Sequence, residues 1–184
     1  ETQAILTQIT DNSNLLISRL QGERDTYYSD PEKFYATMDG ALSEVVDFRR
    51  IAARVMGRYR RDASDLQKDQ FVETFKKSLF NAYGRTLIES GEFDIKVHAA
   101  EIDSRRSDKA SVNLEIITAG GNNYPVIYNM YKNDKVQKWL LENVIVNGVN
   151  IGLAFRDRFQ QQYEEHKGNL DKVISQWSAQ LPQA

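Results

Sequence analysis

The feature that most constrains the fold is a change in hydrophobic period along the chain. Through the first 90 residues apolar side chains recur at helical intervals, as at Phe71 and Phe75. Beyond them, apolar and polar residues alternate in "EFDIKVH" and "ASVNLEI", which is the pattern of half-buried strands. Helical spacing returns at Phe155 and Phe159. Helices followed by strands and again by helices predict an α+β fold and argue against parallel α/β winding.

The strand region is expected to form an antiparallel meander of about four strands. The segments "YPVIYNMY" and "VQKWLLENVIVNGV" supply the third and fourth strands, and short turn-rich stretches join all four. These two segments are apolar on both phases in places, as expected where both faces are covered or one face lines a cavity. We expect one domain in which helices pack on one face of a twisted sheet, with a mainly helical part at 1–90, the sheet at 91–149 and closing helices at 150–184.

Local signals place several helix termini. Asp30 followed by Pro31 is typical of a helix start, and Gly40 is expected to interrupt that helix. Ser64 with Gln67 three residues later has the spacing of a capping box. A last helix is expected near the C-terminal end, and its apolar residues are Leu170, Val173, Ile174, Trp177 and Leu181.

Positive charge is concentrated in "DFRRIAARVMGRYRR", which holds six arginines in a chain of net charge -2. On a single helical wheel, one outward sector opposite the apolar residues contains Arg50, Arg54, Arg58 and Arg61. Such a cationic face is either a solvated surface with local ion pairs or a docking surface for an acidic protein or anionic lipid headgroups. Nucleic acid is not expected as a partner, because the domain is not basic and base-stacking aromatic residues do not share this face.

Side chains for catalysis are sparse. Phosphate-loop, dinucleotide-binding, zinc-protease and Gly-x-Ser-x-Gly motifs have no match, and the sequence has no cysteine for a disulfide or a thiolate metal site. His98 and His166 are expected at the surface, and Asp94 and Glu115 on solvated strand faces. The glycines of "AGGNN" are expected in a hairpin turn. We therefore expect no enzymatic activity, no cofactor and no metal.

The chain is expected to be soluble. No apolar run approaches the roughly 18 to 20 residues that a membrane-spanning helix needs. The first residue is Glu1 instead of methionine, which is compatible with a mature chain whose signal peptide has been removed or with a chain that has simply been shortened.

Two blocks of the sequence carry a family resemblance. The first block is "VVDFRRIAARVMGRYRRDASDLQKDQFVETFKKSLFNAYGRTL". The second contains Trp139, the strand leading into Asn147, Gly148 and Val149, then Phe155, Arg156, Phe159, Gly168 and Leu170. Together the blocks cover about two thirds of the chain. In their order and spacing they resemble the MlaC family, the toluene-tolerance or auxiliary lipid-carrier component of a bacterial ABC transport system.

This resemblance implies a periplasmic protein that carries diacyl phospholipid between the inner and outer membranes of a Gram-negative cell. The implied fold is an NTF2-like sheet plus helices around a deep apolar lipid cavity, without catalytic residues. The implied partners are an inner-membrane ABC transporter bearing an MCE-domain ring and an outer-membrane lipoprotein associated with porins, both docked transiently.

For such a cavity we expect a set of apolar side chains from the long helix, the meander and the segment that follows it. The set is Leu79, Tyr83, Val112, Leu114, Ile116, Tyr128, Met130, Trp139, Val144, Val146, Val149, Ile151 and Phe155. Each of these residues has ordinary core packing as its alternative role. Headgroup selectivity is expected to be slight, because no cluster of polar residues accompanies the set. The arginines at 50, 54, 58 and 61 are candidates for contacts with a partner or with headgroups at the opening.

Two other classes of function stay open at this stage. A cavity enzyme on a similar scaffold would need a desolvated acid or base, for which Asp94 and Glu115 are the candidates. A protein-binding adaptor would have a filled interior and no bound lipid.

Overall fold

A computed structural model describes residues 1–89 and 92–179 of the protein. The helices are α1 (Thr2–Gly22), α2 (Arg24–Ser29), α3 (Pro31–Leu42), α4 (Phe48–Met56), a 3-10 helix (Gly57–Asp62), α5 (Asp65–Glu89), α6 (Ile151–Glu165) and α7 (Leu170–Ser175). The strands are β1 (Phe93–Ile102), β2 (Lys109–Thr118), β3 (Asn123–Asn133), β4 (Lys138–Val146) and β5 (Val149–Asn150). They form one antiparallel sheet in the order β1-β2-β3-β4-β5, which confirms the α+β fold and the meander.

The predicted fourth strand is divided by a tight turn. Val146 pairs with Val149, so Asn147 and Gly148 form a two-residue connection in which both have positive φ, of 51° and 82°. Asn-Gly is the preferred sequence for such a hairpin turn. The last two residues of the predicted strand therefore lie in, or directly before, the short fifth strand.

The expectation that helices cover one face of the sheet is wrong, because helices pack on both faces. Ile5 and Ile9 of α1 pack with Leu114 and Met130 on the inner face. On the outer face, α6 begins against β4, where the Gly152 amide donates a hydrogen bond of 3.0 Å to the Asn143 side chain. Coverage of both faces explains why β3 and β4 are apolar on both phases.

Two β-bulges redirect polar side chains within the sheet. In β4, Asn143 pairs with Asn129 and Leu141 with Met130, so Glu142 is an extra residue without a cross-strand partner. In β1 the register likewise shifts around His98. A bulge changes which face the following residues occupy. Leu141 can therefore remain in the inner core while the side chain of Glu142 reaches α4 on the outer side.

Buried residues form two main cores. The helical core lies among α4, the 3-10 helix, α5, α6 and α7, and its aromatic residues are Tyr59, Phe71, Phe75, Phe155, Phe159 and Trp177. The sheet core lies between α1 and the inner face of the sheet, and its buried residues are Ile5, Ile9, Ala110, Val112, Leu114, Val126, Met130, Trp139 and Leu141. A smaller cluster joins α1, α3 and the end of α5.

The predicted helix starts are confirmed. The Asp30 side chain accepts a hydrogen bond of 3.2 Å from the Lys33 amide at the start of α3. Ser64 and Gln67 exchange the two hydrogen bonds of a capping box, at 2.9 and 3.1 Å. Gly40 does not interrupt α3, which continues to Leu42, because a helical glycine weakens a helix without ending it.

The last helix is shorter than predicted. α7 ends at Ser175, so Trp177 follows the helix and inserts into the helical core from a non-helical segment. Leu181, the final apolar residue of the predicted helix, lies outside the described residues.

The arginine-rich segment is not one continuous helix. α4 ends at Met56, and Gly57 adopts φ 58° and ψ -133°, a conformation that glycine tolerates and other residues avoid. The chain then continues as a 3-10 helix, whose three residues per turn change the direction of each side chain. A single helical wheel therefore does not describe Arg58 and Arg61 together with the arginines of α4.

Candidate functional site

An apolar cavity of about 170 Å³ lies between α1, the end of α3 and the inner face of β3 and β4. Its apolar lining includes Ile9, Leu15, Leu16, Leu42, Val45, Val46, Tyr128, Met130 and Leu141. The polar residues Asn12, Ser13, Arg19 and Glu44 complete the wall. Arg19 and Glu44 are exposed, so the charged part of the wall is at the opening, whereas Ser13 is buried. The site is a hydrophobic pocket with a charged edge.

One wall of this cavity is held against the sheet by backbone hydrogen bonds. Val46 forms a bridge with Leu141 at the edge of β4. The Leu141 amide donates to the Val45 carbonyl at 2.7 Å, and the Asp47 amide donates to the Leu141 carbonyl at 3.1 Å. The segment between α3 and α4 therefore extends the sheet locally and places Val45 and Val46 beside the cavity.

Tyr128 and Met130 are the members of the predicted pocket set that line this cavity. They are two residues apart on β3, so their side chains lie on the same face of the sheet. Burial alone raises the pKa of the Tyr128 phenol above its ordinary value. The hydroxyl is therefore in a poorly solvated place, as an apolar pocket provides.

Six further residues of the predicted set belong to the same sheet core without lining the cavity. They are Val112, Leu114, Ile116, Trp139, Val144 and Val146. Strand alternation predicted a shared face for Val112, Leu114 and Ile116. Trp139 shares that face with Val144 and Val146 only because of the bulge at Glu142. Their contact with a ligand stays a prediction, because it would require the cavity to extend along the inner face under α1.

The remaining members of the set lie elsewhere. Leu79, Ile151 and Phe155 pack in or against the helical core. Tyr83 is 40% exposed and donates its hydroxyl to the Ala179 carbonyl at 3.1 Å, and Val149 is 52% exposed. The structure does not bring these five side chains to the cavity.

Sequence reasoning did not assign several residues that form the cavity. Four of these residues, none of which belongs to the predicted pocket set, are Ile9, Leu16, Val46 and Leu141. One signal was present: α1 is a mostly polar helix that nevertheless buries Ile5 and Ile9 almost completely. A narrow apolar stripe of this kind indicates a helix that covers one surface.

On the outer side of the sheet, the carboxylate of Glu142 lies close to three cationic side chains. Glu142 is 7% exposed and accepts hydrogen bonds of 2.7 Å from both Arg50 Nε and Lys109 Nζ, and Arg54 lies 3.4 Å away. Burial raises the pKa of Glu142, but the hydrogen bonds from Lys109 and Arg50 outweigh it and hold the pKa below the ordinary value. The Arg50 guanidinium also stacks over the Tyr131 ring at 3.9 Å.

The predicted arginine face is therefore two different surfaces. Arg50 and Arg54 are tied to Glu142 on the outer side of the sheet. Arg58 belongs to the 3-10 helix and donates to the Tyr59 hydroxyl at 2.9 Å, while Arg61 is exposed on the same 3-10 helix. Of the four predicted arginines, Arg50 and Arg54 line a surface groove together with other cationic side chains. This groove is described below.

The candidate acid and base groups do not converge on the cavity. His98 Nε2 lies 2.5 Å from Glu115 Oε1, and the two side chains are 37% and 31% exposed. The Asp94 side chain accepts from the Ile95 amide on an exposed part of β1. These groups therefore give no support to a general base within the pocket.

Two further features are absent from residues 1–89 and 92–179. That part of the chain contains no group of three or more His, Cys, Asp and Glu side chains arranged to hold a metal ion. It also contains no helix with both the length and the apolar character to cross a membrane.

Comparisons with known proteins agree with this geometry. The family model described as MlaC protein matches residues 10–179. The toluene tolerance protein ttg2D of Pseudomonas putida is 35% identical over 170 residues, which are 92% of this chain and 77% of that protein. A phospholipid-binding protein from Ralstonia solanacearum, solved in complex with a phospholipid, has a similar fold with a TM-score of 0.78. It is 17% identical, and the match covers 96% of this chain and 98% of that one. The chain belongs to the MlaC family.

Proposed function

We propose that this protein binds a diacyl phospholipid in the cavity under α1 and carries it across the periplasm between the inner and outer membranes. The observation that carries the proposal is an apolar cavity with a charged opening in a chain of the MlaC family. The Ralstonia protein of the same fold holds a phospholipid, which supports the same class of ligand here. Catalysis is not part of the proposal.

A carrier protein is needed because exposing the acyl chains of a lipid to water is energetically costly. Each methylene group moved out of water contributes about 0.8 kcal/mol, so two acyl chains with roughly 30 methylenes represent about 24 kcal/mol. Free lipid therefore cannot cross an aqueous space quickly. A protein that offers a similarly dry pocket removes this barrier without having to bind lipid more tightly than a bilayer does.

The cavity must enlarge to receive a whole lipid. At about 170 Å³ it is similar in size to engineered apolar cavities of about 150 Å³ that hold a benzene molecule. The inner face of the sheet offers additional apolar surface along Val112 and Leu114, which α1 now covers through Ile5 and Ile9. We propose that α1 moves away from the sheet when acyl chains enter.

The headgroup would remain at the opening. Arg19 and Glu44 are exposed there, and neither forms an ion pair within the described residues. A phosphate group would approach Arg19 in a solvated setting, where a single ion pair contributes about 1 kcal/mol or less. Headgroup selectivity should accordingly be slight.

The proposed partners are those of the family resemblance. They are an inner-membrane ABC transporter with an MCE-domain ring and an outer-membrane lipoprotein associated with porins. Docking to each would be transient, since the carrier must release and recover lipid in turn.

The test is native mass spectrometry of protein purified from a bacterial host without detergent, followed by lipid analysis of the denatured sample. Near-stoichiometric diacyl phospholipid, together with protein-dependent transfer of labelled lipid between vesicles, is the expected result. A protein that is lipid-free and takes up no lipid from vesicles would contradict the proposal and favour a protein-binding adaptor.

A further inference from the structure

We infer that a groove on the outer side of the sheet, separate from the lipid cavity, binds an acidic segment of a partner protein. The basic groove is lined by Asp47, Arg49, Arg50, Ala53, Arg54, Gly57, Arg60, Lys109, Glu142 and Arg156. Its volume is about 640 Å³, within the usual range for binding clefts. None of these residues lines the lipid cavity.

The charge of the groove is strongly unbalanced. Six cationic side chains line it and two carboxylates, in a chain whose net charge is -2. Arg49 is partly compensated by an ion pair with Asp69 outside the groove. A concave surface lined by one sign of charge focuses the electrostatic field and attracts groups of the opposite sign.

The two carboxylates already have partners and cannot neutralise the remaining cations. Asp47 accepts hydrogen bonds from the Arg50 amide at 3.0 Å and from the Tyr131 hydroxyl. Glu142 accepts from Arg50 and Lys109, as described above. Both carboxylates of the groove are therefore already paired with groups of the protein.

Arg60 and Arg156 form the outer, unneutralised side of the groove. Both are exposed, and neither has an ion-pair partner within the ranges 1–89 and 92–179. The aliphatic part of Arg156 lies over Gly57, where an added Cβ would be 3.5 Å from Arg156 Cδ. This contact brings a side chain of α6 next to the junction of α4 and the 3-10 helix. Two guanidinium groups from different elements are thus offered to one ligand.

The shape favours a protein segment over a bilayer as the occupant. A bilayer surface is broad and contacts protruding side chains, whereas the cations here line a depression between α4, α6 and β2. A narrow chain carrying two or more Asp or Glu side chains can enter that depression and present a carboxylate to each free guanidinium. Arginine is well suited to this role, because its planar donors match a carboxylate in a bidentate pair.

The experiment uses the intact protein and a short fluorescein-labelled poly-glutamate peptide, with binding followed by fluorescence anisotropy at low and at high salt. The test variant, referred to as the double variant, is Arg60→Glu with Arg156→Glu. The matched control, with the same change in net charge, is Arg24→Glu with Lys33→Glu, at exposed positions on α2 and α3. The peptide should bind the unchanged protein and the control alike, and binding should weaken with salt. The double variant should lose about tenfold in affinity, since two attractions become repulsions.

Equal binding by the double variant, or an equal loss in the control, would overturn the inference. Vesicles of phosphatidylcholine with phosphatidylglycerol are tested in parallel, and a loss of vesicle binding without any peptide binding would assign the groove to a membrane instead. Bound lipid is measured in every variant. Unchanged lipid with lost peptide binding separates this inference from the proposed carrier function. If the double variant does not fold, Arg60→Gln and Arg156→Gln singly should each weaken peptide binding about threefold.

Discussion

The helical core and the sheet core of this protein are built from different side chains and leave different amounts of space. The helical core is packed by interlocking rings, with the Trp177 centroid 5.3 Å from Phe71 and 6.0 Å from both Phe155 and Phe159. The sheet core is mostly aliphatic, is covered by α1, and opens into a cavity of about 170 Å³. Rings in edge-to-face contact fix one arrangement, whereas aliphatic side chains on a sheet can repack around a ligand. This difference suits the helical core to holding the fold and the sheet core to the proposed binding of lipid.

The largest expected effect on stability comes from a substitution in the helical core. Phe159 is fully buried among Tyr59, Phe71 and Trp177, so Phe159→Ala should lower the free energy of unfolding by about 4 kcal/mol. Met130→Ala should cost only about 2 kcal/mol, because the buried Met130 side chain already faces the cavity on one side. Urea unfolding of both variants after removal of bound lipid measures the difference. Equal losses would contradict a contrast in packing between the two cores.

The next effect concerns the contact between α4 and the sheet. Glu142→Gln removes the carboxylate that holds Arg50 and Lys109, and should cost about 2 kcal/mol at neutral pH. The pKa of Glu142 is held below its ordinary value of 4.5, so the ionised form contributes stability above that pH. This contribution should fade as the pH falls through the lower, folded-state pKa. Unfolding measured from pH 7 down to pH 3 should show the two proteins converging at acid pH, and a constant difference would contradict the role of Glu142.

A smaller effect tests the junction at Gly57. Its φ of 58° with ψ of -133° is strained for any residue with a Cβ, so Gly57→Ala should destabilise the protein by about 1 kcal/mol. Gly40→Ala is the matched control, because Gly40 lies inside α3 with no atom within 4 Å of an added Cβ. That control should be neutral or slightly stabilising, and thermal melts of both variants distinguish the two glycines. A stable Gly57→Ala protein would show that α4 can continue through this position.

The variant with the smallest expected effect on stability should cause the largest loss of bound lipid. Val46 lines the cavity, and Val46→Trp should fill part of it while changing the free energy of unfolding by less than about 1 kcal/mol. Lipid recovered with the purified protein should fall severalfold. Val136→Trp, at an exposed position 56% accessible, provides the control and should leave bound lipid unchanged. Normal lipid content in the Val46 variant would place the acyl chains elsewhere.

Sequence reasoning succeeded where the deciding interactions are local. The Asp30 cap and the pairing of Ser64 with Gln67 depend on residues three positions apart, and both are confirmed. Strand alternation likewise placed Val112 and Leu114 on the inner face of the sheet. These features follow from local hydrogen bonding at helix starts and from strand periodicity.

Sequence reasoning failed where contacts between distant segments decide the position of a side chain. Alternation shows which residues share a face, but it does not show that α1 covers that face or that Val46 joins the edge of β4. Leu79 and Phe155 have the apolar character of pocket residues, yet they pack with the helical core. The bulge at Glu142 and the break at Gly57 each shift the period by a local irregularity, so a regular strand or wheel misplaces the residues beyond it.

The most direct test of lipid binding in the sheet core is photo-crosslinking of a phospholipid that carries a diazirine in its acyl chain. Peptide mapping of the labelled protein then locates the adducts. We predict adducts on α1 around Ile9 and on β3 at Tyr128 and Met130. Peptides of the helical core that contain Phe71 and Phe159 should stay unlabelled. Labelling concentrated on the helical core, with none on β3, would contradict the proposal that lipid binds within the sheet core.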